Sequence, residues 1–295
     1  MIRRIAHLSD VHLLDARAAT RHASYRFVTR FLSVGRSVDP AQRRRRLSRA
    51  LALAKASGAQ HFVISGDLTE VGSGAEFEQF AEVLHEARLP AESVTLVPGN
   101  HDAYTRADAW RKALEGPLAR FRTGSAGSAG KVVDRGAVAI LPIDTTCFQS
   151  ITSSRGIFTR AMVEAVERRA NDPAFREKAL VLVTHHPPFH PHVSPIVRWV
   201  DGLRGAAEVL ELLARQPRLQ LLHGHLHRVF DRILATSGAR TRPGRLRLIP
   251  KTDGDAVPTR AFGAPATCDG AEDTPRVRLY DVRDGALHAA TIHAA

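Results

Sequence analysis

The sequence predicts a layered α/β fold, because short apolar runs of strand length alternate with amphipathic helical patterns as far as residue 222. Beyond residue 240, further strand patterns follow one another without helices, and they predict a second sheet that closes the fold. The 295 residues are 44% hydrophobic and 24% charged. This composition excludes disordered and fibrous proteins and supplies enough apolar surface for a full core.

The predicted strands are short apolar runs. In chain order they are Ile2–Leu8, His61–Ile64, Ser93–Val97, Val138–Ile143, Ala179–Val183 and Leu219–Leu222, followed after residue 240 by Arg247–Ile249, Val277–Val282 and Leu287–Ile292. None of these runs approaches the roughly 20 apolar residues that a membrane-spanning helix needs. The sequence therefore contains no candidate membrane span.

Three segments between the strands repeat apolar residues at i, i+3, i+4 and i+7, the spacing of a helix with one buried face. These patterns begin at Leu47, Phe77 and Ala206. Two other stretches are predicted to be loops. They are Thr123–Gly130 (TGSAGSAG) and the Gly- and Pro-rich Arg240–Asp273, which carries one short strand near its start.

One segment interrupts the alternation. More than 30 residues separate the first strand from the helix at Leu47, which is too long for a simple connection. Within it, Ser24–Val34 is a candidate basic amphipathic helix, with Phe27, Val28, Phe31 and Leu32 on one face. We expect this face to pack on the body of the protein; the alternative is a cap beside the site or a lipid-facing element. The run Arg43–Arg46 opens the next helix and is interpreted as a solvated face.

The charge of the chain is strongly basic. Lys and Arg number 42 against 30 Asp and Glu, a net charge of +12, and only five of the 42 are lysine. Such an excess favours an anionic partner, which can be nucleic acid, a membrane surface or a substrate, although an arginine-rich background explains it as well. Two cysteines, Cys147 and Cys268, cannot form a disulfide framework, and the N-terminus lacks the apolar segment of a signal peptide. We therefore expect a cytoplasmic protein.

Polar clusters follow five of the predicted strands. They are Ser9–His12 (SDVH), Ser65–Glu70 (SGDLTE), Pro98–Asp102 (PGNHD), Thr184–Pro188 (THHPP) and His223–His227 (HGHLH). Residues i and i+2 of an extended segment lie on the same side, so Asp10 and His12 are expected to bind one ion together. Open α/β sheets place their ligands beyond the carboxyl ends of strands, which predicts that the five clusters form one site.

The donor types in these clusters indicate a metal centre. Imidazole and carboxylate suit manganese, iron, zinc or cobalt, and the absence of cysteine from every cluster disfavours iron–sulfur and Cu(I) sites. Seven candidate ligands are too many for one tetrahedral zinc ion. They fit two ions that share a bridging carboxylate, an arrangement used for phosphate ester chemistry.

The ordered motifs D-x-H, G-D-x-x-E, G-N-H-D, H-H-P and G-H-x-H span residues 10–227. In this order they resemble the calcineurin-like metallophosphoesterases, and most of all the bacterial class that includes cyclic-nucleotide phosphodiesterases and glycerophosphodiesterases. The resemblance implies a four-layer αββα sandwich with two central mixed sheets flanked by helices. It also implies a single domain over residues 1–295, with an inserted basic segment at about 14–46 and a loop-rich part after about 235.

The resemblance also implies roles for individual residues. One ion is expected on Asp10, His12, Asp67 and His227, and the second on Asn100, His185 and His225, with Asp67 as the bridge. His101 would be the general acid, with Asp102 as its orienting partner. The cofactors would be two divalent or trivalent ions, Mn²⁺, Fe²⁺/Fe³⁺ or Zn²⁺. Glu70 stands where many members of the family have Asp, and the position is not a ligand in the family pattern.

The implied reaction is hydrolysis of a phosphodiester or phosphoanhydride by in-line attack of a hydroxide that bridges the two ions. Cyclic nucleotides, glycerophosphodiesters and lipid-linked substrates all remain candidates, and the Ser24–Val34 segment favours lipid-like substrates and peripheral membrane contact. One alternative is a nuclease of the same fold; nucleic acid is disfavoured because the chain leaves little room for a DNA-capping domain. A second alternative is a scaffold without metal, which a metal analysis would distinguish.

Overall fold

The computed structural model describes residues 2–17, 21–190, 194–236, 246–250, 260–269 and 274–290. Within them, the strands are β1 (Arg4–Leu8), β2 (His61–Ser65), β3 (Val94–Val97), β4 (Val133–Asp134), β5 (Val138–Pro142), β6 (Gly156–Ile157), β7 (Ala179–Val183), β8 (Leu203–Arg204), β9 (Leu219–His223), β10 (Phe230–Thr236), β11 (Leu246–Pro250), β12 (Ala261–Gly263), β13 (Arg278–Arg283) and β14 (Ala286–Ala290). The α-helices are α1 (Ala23–Leu32), α2 (Pro40–Ala56), α3 (Gly74–Glu86), α4 (Ala109–Glu115), α5 (Arg160–Ala170), α6 (Pro195–Asp201) and α7 (Ala206–Arg215). No helix among these residues is long and apolar enough to cross a membrane.

Two mixed sheets form the centre of the fold. The first has the strand order β14-β13-β1-β2-β3, and the second has the order β11-β10-β12-β9-β7-β5-β4. Strands β1, β2 and β3 are parallel, as are β5, β7, β9 and β12. The antiparallel pairs involve β13 and β14 in the first sheet and β4, β10 and β11 in the second. The parallel strands of each sheet therefore end at one edge, where the polar clusters follow them.

The alternation of side chains along the strands produces four layers. On β1, Ile5 packs between the two sheets, whereas Ala6 and Leu8 pack on the outer face with helices α2, α3 and α4. On β7, Val181 faces the first sheet and Leu182 packs on the side of α5 and α7. The predicted αββα sandwich with two central mixed sheets is thus confirmed.

Most predicted strands and helices are confirmed, with ends that differ by a few residues. The prediction missed α4, α5 and α6 and the strands β4, β6, β8, β10 and β12. Strand β12 is buried in the second sheet but has only three residues, too few for a periodic pattern. It lies inside the predicted loop Arg240–Asp273, most of which falls outside the described residues, as do the last two residues of the predicted strand Leu287–Ile292.

The expectation that the apolar face of α1 packs on the body of the protein is wrong for its largest side chains. Phe27 is 72% exposed and Phe31 is 50% exposed. The contacts that hold α1 and its C-terminal end are polar: the Tyr25 hydroxyl donates to Glu76 at 2.9 Å, and the Ser33 hydroxyl donates to Glu70 at 3.0 Å. These hydrogen bonds fix the orientation of the helix and leave its phenylalanine side chains in solvent.

The interpretation of Arg43–Arg46 as a solvated face is wrong for Arg43, which is completely buried. Its guanidinium donates to the His12 carbonyl at 2.6 Å, to the Ser33 hydroxyl at 2.9 Å and to the Ser37 carbonyl at 2.7 Å, and it forms an ion pair with the buried Glu70. Arg43 therefore ties both ends of the segment between α1 and α2 to the loop that follows β1.

Replacing Arg43 with Met is expected to lower the free energy of unfolding by about 3–5 kcal/mol, because it leaves the buried Glu70 carboxylate with one cationic partner fewer. The neighbouring Arg44 pairs with the exposed Glu82 and Glu86, so Arg44→Met is a matched control with an expected loss below about 1 kcal/mol. Urea denaturation measures both values. Equal losses in the two variants would contradict the anchoring role of Arg43.

Candidate metal centre

The candidate site lies where five loops converge at the carboxyl ends of strands from both sheets. The predicted site residues come together there: Asp10 and His12 after β1, Asp67 after β2, Asn100 and His101 after β3, His185 after β7, and His225 and His227 after β9. Backbone hydrogen bonds join neighbouring loops. The Asp10 amide donates to the Gly66 carbonyl at 3.0 Å, and the Gly224 amide donates to the His185 carbonyl at 3.1 Å.

Five of the seven predicted ligands have a left-handed backbone conformation: Asp10 (φ 52°), His12 (φ 50°), Asp67 (φ 50°), His225 (φ 69°) and His227 (φ 54°). The expected extended geometry of Asp10 and His12 is therefore wrong, although their side chains do reach the same site. A non-glycine residue in this conformation carries strain on the order of 1–3 kcal/mol. Hydrogen bonds hold it here, since the amides of Val11 and His12 both donate to the Asp67 carbonyl at 2.8 Å.

Two glycines of the motifs are required by close approach between loops. A Cβ atom at Gly66, whose φ is 101°, would overlap the imidazole of His185. A Cβ atom at Gly224 would overlap the side chain of Ser9 and come close to Asp10. Each glycine thus allows a ligand of one sheet to lie against a loop of the other.

Four histidines present the same nitrogen to the site. His101 Nδ1 donates to the Glu70 carbonyl at 2.7 Å, His185 Nδ1 donates to the Ser65 carbonyl at 2.8 Å, and His227 Nδ1 lies 3.2 Å from Asp269. His12 Nδ1 makes no hydrogen bond among the described residues, but a carboxylate oxygen of Glu70 lies 3.5 Å from it. An oxygen beside Nδ1 favours the tautomer whose Nε2 lone pair is free. In all four rings Nε2 faces the carboxylates of Asp10 or Asp67.

Asp67 lies at the centre of this arrangement. Its Oδ2 atom is 3.3 Å from Nε2 of His185, 3.6 Å from Nε2 of His12 and 4.0 Å from Nε2 of His101. Burial opposes ionisation of this carboxyl, but His185 and His101 outweigh the burial and hold the pKa of Asp67 well below its ordinary value. An ionised carboxylate among several imidazole nitrogens suits a ligand shared by two cations.

The candidate ligand atoms form two adjacent groups, and Asp10 belongs to both. In the first, Nε2 of His227 is 3.4 Å from both Asp10 Oδ1 and His12 Nε2. In the second, Asp10, Asp67 and His185 lie together, and the Asn100 side-chain oxygen is 3.2 Å from His185 Nε2. In each group the carboxylate and histidine atoms lie within 4.8 Å of one another. These residues fit two cations, because the donors are nitrogen and oxygen atoms in two adjacent groups.

His225 and His186 have different surroundings although their rings are 4.8 Å apart. His225 Nε2 lies 2.9 Å from the Asp201 carbonyl, which leaves Nδ1 to act as a ligand. In His186 both nitrogens have protein partners, the Thr145 hydroxyl at 2.8 Å and the Ser154 carbonyl at 3.0 Å. The structure therefore gives His186 a packing role behind the site.

The expectation that Asp102 orients His101 is wrong. The Asp102 carboxylate accepts hydrogen bonds from the backbone amides of Leu68, Thr69 and Gly99 at 2.8–3.1 Å, and it makes no hydrogen bond to the His101 ring. The backbone carbonyl of Glu70 orients His101 instead. Asp102 thus joins the loop after β2 to the loop after β3.

Residues that the sequence analysis did not identify surround the ligands. The Tyr104 hydroxyl accepts a hydrogen bond from the Asn100 amide nitrogen at 2.8 Å and so turns the amide oxygen toward His185. Asp201 and Asp269 hold His225 and His227 in place. Arg36, from the segment between α1 and α2, reaches His12 Nε2 at 2.6 Å. Of these residues, only Tyr104 could have been identified from the sequence, because it lies in the loop that carries the G-N-H-D motif.

No curated protein matches the sequence. The fold is similar to that of a dimetal phosphatase from Danio rerio, with a TM-score of 0.63 and 12% identity, over 95% of this chain and 93% of that chain. It is also similar to a purple acid phosphatase from seeds of yellow lupin, with a TM-score of 0.51 and 9% identity, over 97% of this chain but only 50% of that one. At these identities the similarity shows the fold.

The family assignment comes from the sequence profile of the calcineurin-like phosphoesterases, which matches residues 3–229. The matched range is well over half of the chain and contains all five polar clusters. The chain therefore belongs to the calcineurin-like phosphoesterase family.

Proposed function

We propose that this protein is a dinuclear metal-dependent phosphoesterase that hydrolyses a phosphodiester or phosphoanhydride in a small or lipid-like molecule. The observation that carries the proposal is the convergence of four histidine Nε2 atoms on two buried carboxylates, those of Asp10 and Asp67. Family membership supports it, as does the similarity to a dimetal phosphatase.

The proposed ligand sets combine the groups of neighbouring donor atoms and assign Asp10 to one ion and Asp67 to both. One ion is held by Asp10, His12, Asp67 and His227, and the other by Asp67, Asn100, His185 and His225. Nitrogen and oxygen donors without thiolate fit manganese, iron or zinc. When bound, two such cations activate water near neutral pH and neutralise charge on the phosphoryl oxygens.

His101 is the proposed general acid. The hydrogen bond from Nδ1 to the Glu70 carbonyl fixes the ring, and Nε2 faces the site 4.0 Å from Asp67 Oδ2. From this position Nε2 can deliver a proton to the departing oxygen. Burial lowers the pKa of His101 more than Asp67 and Glu70 raise it, which makes its imidazolium a stronger acid than that of an exposed histidine.

The surroundings of the site favour a substrate with an apolar part. A cavity of about 610 Å³ extends from His227 to the end of α1, where Leu32 and the largely exposed Val34 line it beside Arg36. The exposed Phe27 and Phe31 lie on the same helix. Apolar side chains next to cationic ones suit a phosphoester that carries an acyl or other apolar group.

Asn100→Ala is expected to bind one metal ion instead of two and to lose most of the activity, because the change removes a neutral oxygen ligand of the second ion. Metal content by mass spectrometry and hydrolysis of an aryl phosphodiester measure the two effects. Asn171→Ala, an exposed position at the end of α5, is the control. Full activity with two ions in Asn100→Ala would contradict the ligand assignment.

His101→Gln is expected to lower kcat by about 10²–10⁴-fold while both ions stay bound, because His101 acts on the leaving group. A substrate with an acidic leaving group, such as 4-nitrophenol, should restore part of the rate. An equal loss for good and poor leaving groups would argue against general acid catalysis.

In the presence of Mn²⁺, a bis-aryl phosphate should be hydrolysed faster than the mono-aryl phosphate with the same leaving group. The comparison of kcat/KM for the two esters measures the preference. A preference for the monoester would overturn the phosphodiesterase part of the proposal and leave the metal centre in place.

A further inference from the structure

The side chain of Arg36 enters the metal centre from the segment between α1 and α2. Its Nη1 atom lies 2.6 Å from Nε2 of His12, and its Nη2 atom donates to Glu70 at 2.9 Å and to the Leu32 carbonyl at 2.6 Å. The side chain is only 10% exposed. A permanently charged guanidinium thus lies against one of the proposed ligand nitrogens.

The contact between Arg36 and His12 excludes a cation from the same nitrogen. The Nε2 atom has one lone pair, which can accept a hydrogen bond from Arg36 or bind a metal, but not both. Binding of a cation at His12 therefore displaces Nη1, while Glu70 can retain Nη2. The displaced Nη1 then has no partner of its own, and an anion bound beside the cations can supply one.

The cavity beside His227 provides the place for that anion. Arg36 and Arg46 both line it, and in both residues the buried Nε–H group has no hydrogen-bond partner among the described residues. Arg46 is held by a hydrogen bond from Nη1 to the Cys268 carbonyl. Against these two cationic groups the cavity has one carboxylate, Asp269, which already lies 3.2 Å from His227 Nδ1.

The backbone that carries Arg36 is fixed on both sides. The buried Arg43 donates to the Ser33 hydroxyl at 2.9 Å and to the Ser37 carbonyl at 2.7 Å, so the residues before and after Arg36 are tied to one guanidinium. Arg36 can therefore exchange partners by moving its side chain while the loop stays in place. A guanidinium on a fixed backbone is well suited to recognise phosphoryl oxygens.

We propose that Arg36 and Arg46 form an anion subsite beside the metal centre, in which Arg36 binds oxygens of the phosphoryl group that reacts and Arg46 binds a second phosphate of the same substrate. The proposal rests on the proposed function and narrows its substrate class to compounds with two linked phosphates, that is, phosphoanhydrides. Each arginine supplies a charge-assisted hydrogen bond to phosphate, and the loss of one such bond weakens binding by roughly 10- to 100-fold.

The test uses two probes that cannot be hydrolysed, methylenediphosphonate with two anionic groups and methylphosphonate with one. Their affinities are measured by calorimetry with and without Mn²⁺. Arg46→Gln is expected to weaken the diphosphonate at least tenfold and to leave the monophosphonate unchanged, whereas Arg36→Gln is expected to weaken both. Arg36→Gln should also tighten Mn²⁺ binding, since it removes the competitor for His12 Nε2. Arg30→Gln, on the exposed face of α1, has the same change in net charge and is the control.

Probe affinities within twofold of those of Arg30→Gln in both variants would overturn the subsite, whether or not the protein binds metal. Absence of metal binding and hydrolysis in the unchanged protein would instead contradict the proposed function. A weakened diphosphonate in Arg46→Gln without Mn²⁺ would still support the subsite in that case. The two proposals thus fail by different measurements.

Discussion

The structure depends on one geometric constraint: strands from two separate sheets must end within a few ångströms of the Asp67 carboxylate. The two sheets are joined by apolar side chains such as Val63, Val97 and Val181, which set the distance between them. The polar groups at the strand ends can meet only because this core holds the strands in register and because Gly66 and Gly224 leave room between the loops. The geometry of the site therefore depends on the packing of the core, since a shift of either sheet would separate His185 from Asp67.

Much of the fold and of the site could be predicted from local sequence. The strands β1, β2, β3, β7 and β9 are rich in apolar residues because they are buried on both faces, and the candidate ligands follow shortly after them. The wrong predictions concern features that depend on contacts between distant parts of the chain. The burial of Arg43 depends on Glu70, and the true partner of Asp102 is backbone from another loop. Neither relation leaves a periodic pattern in the sequence.

Helix α1 and the segment that follows it show why an amphipathic pattern alone does not determine which face of a helix is buried. Phe27 and Phe31 predicted a packed face, but the helix is attached by Tyr25 and Ser33 through hydrogen bonds. The hydroxyls of Tyr25 and Ser33 donate to the buried carboxylates of Glu76 and Glu70, and these contacts orient the helix without burial of its two aromatic rings. The result is a cap with its basic residue Arg36 inside and its apolar residues outside.

The left-handed backbone conformation of five candidate ligands affects how such a chain can evolve. Each of these residues holds its conformation against a steric cost that glycine or asparagine would largely avoid. Selection for activity and selection for stability therefore act in opposite directions at these positions. In a copy released from catalysis, a change of one of these residues to glycine or asparagine would relieve backbone strain at the same step that removed a donor atom from the site.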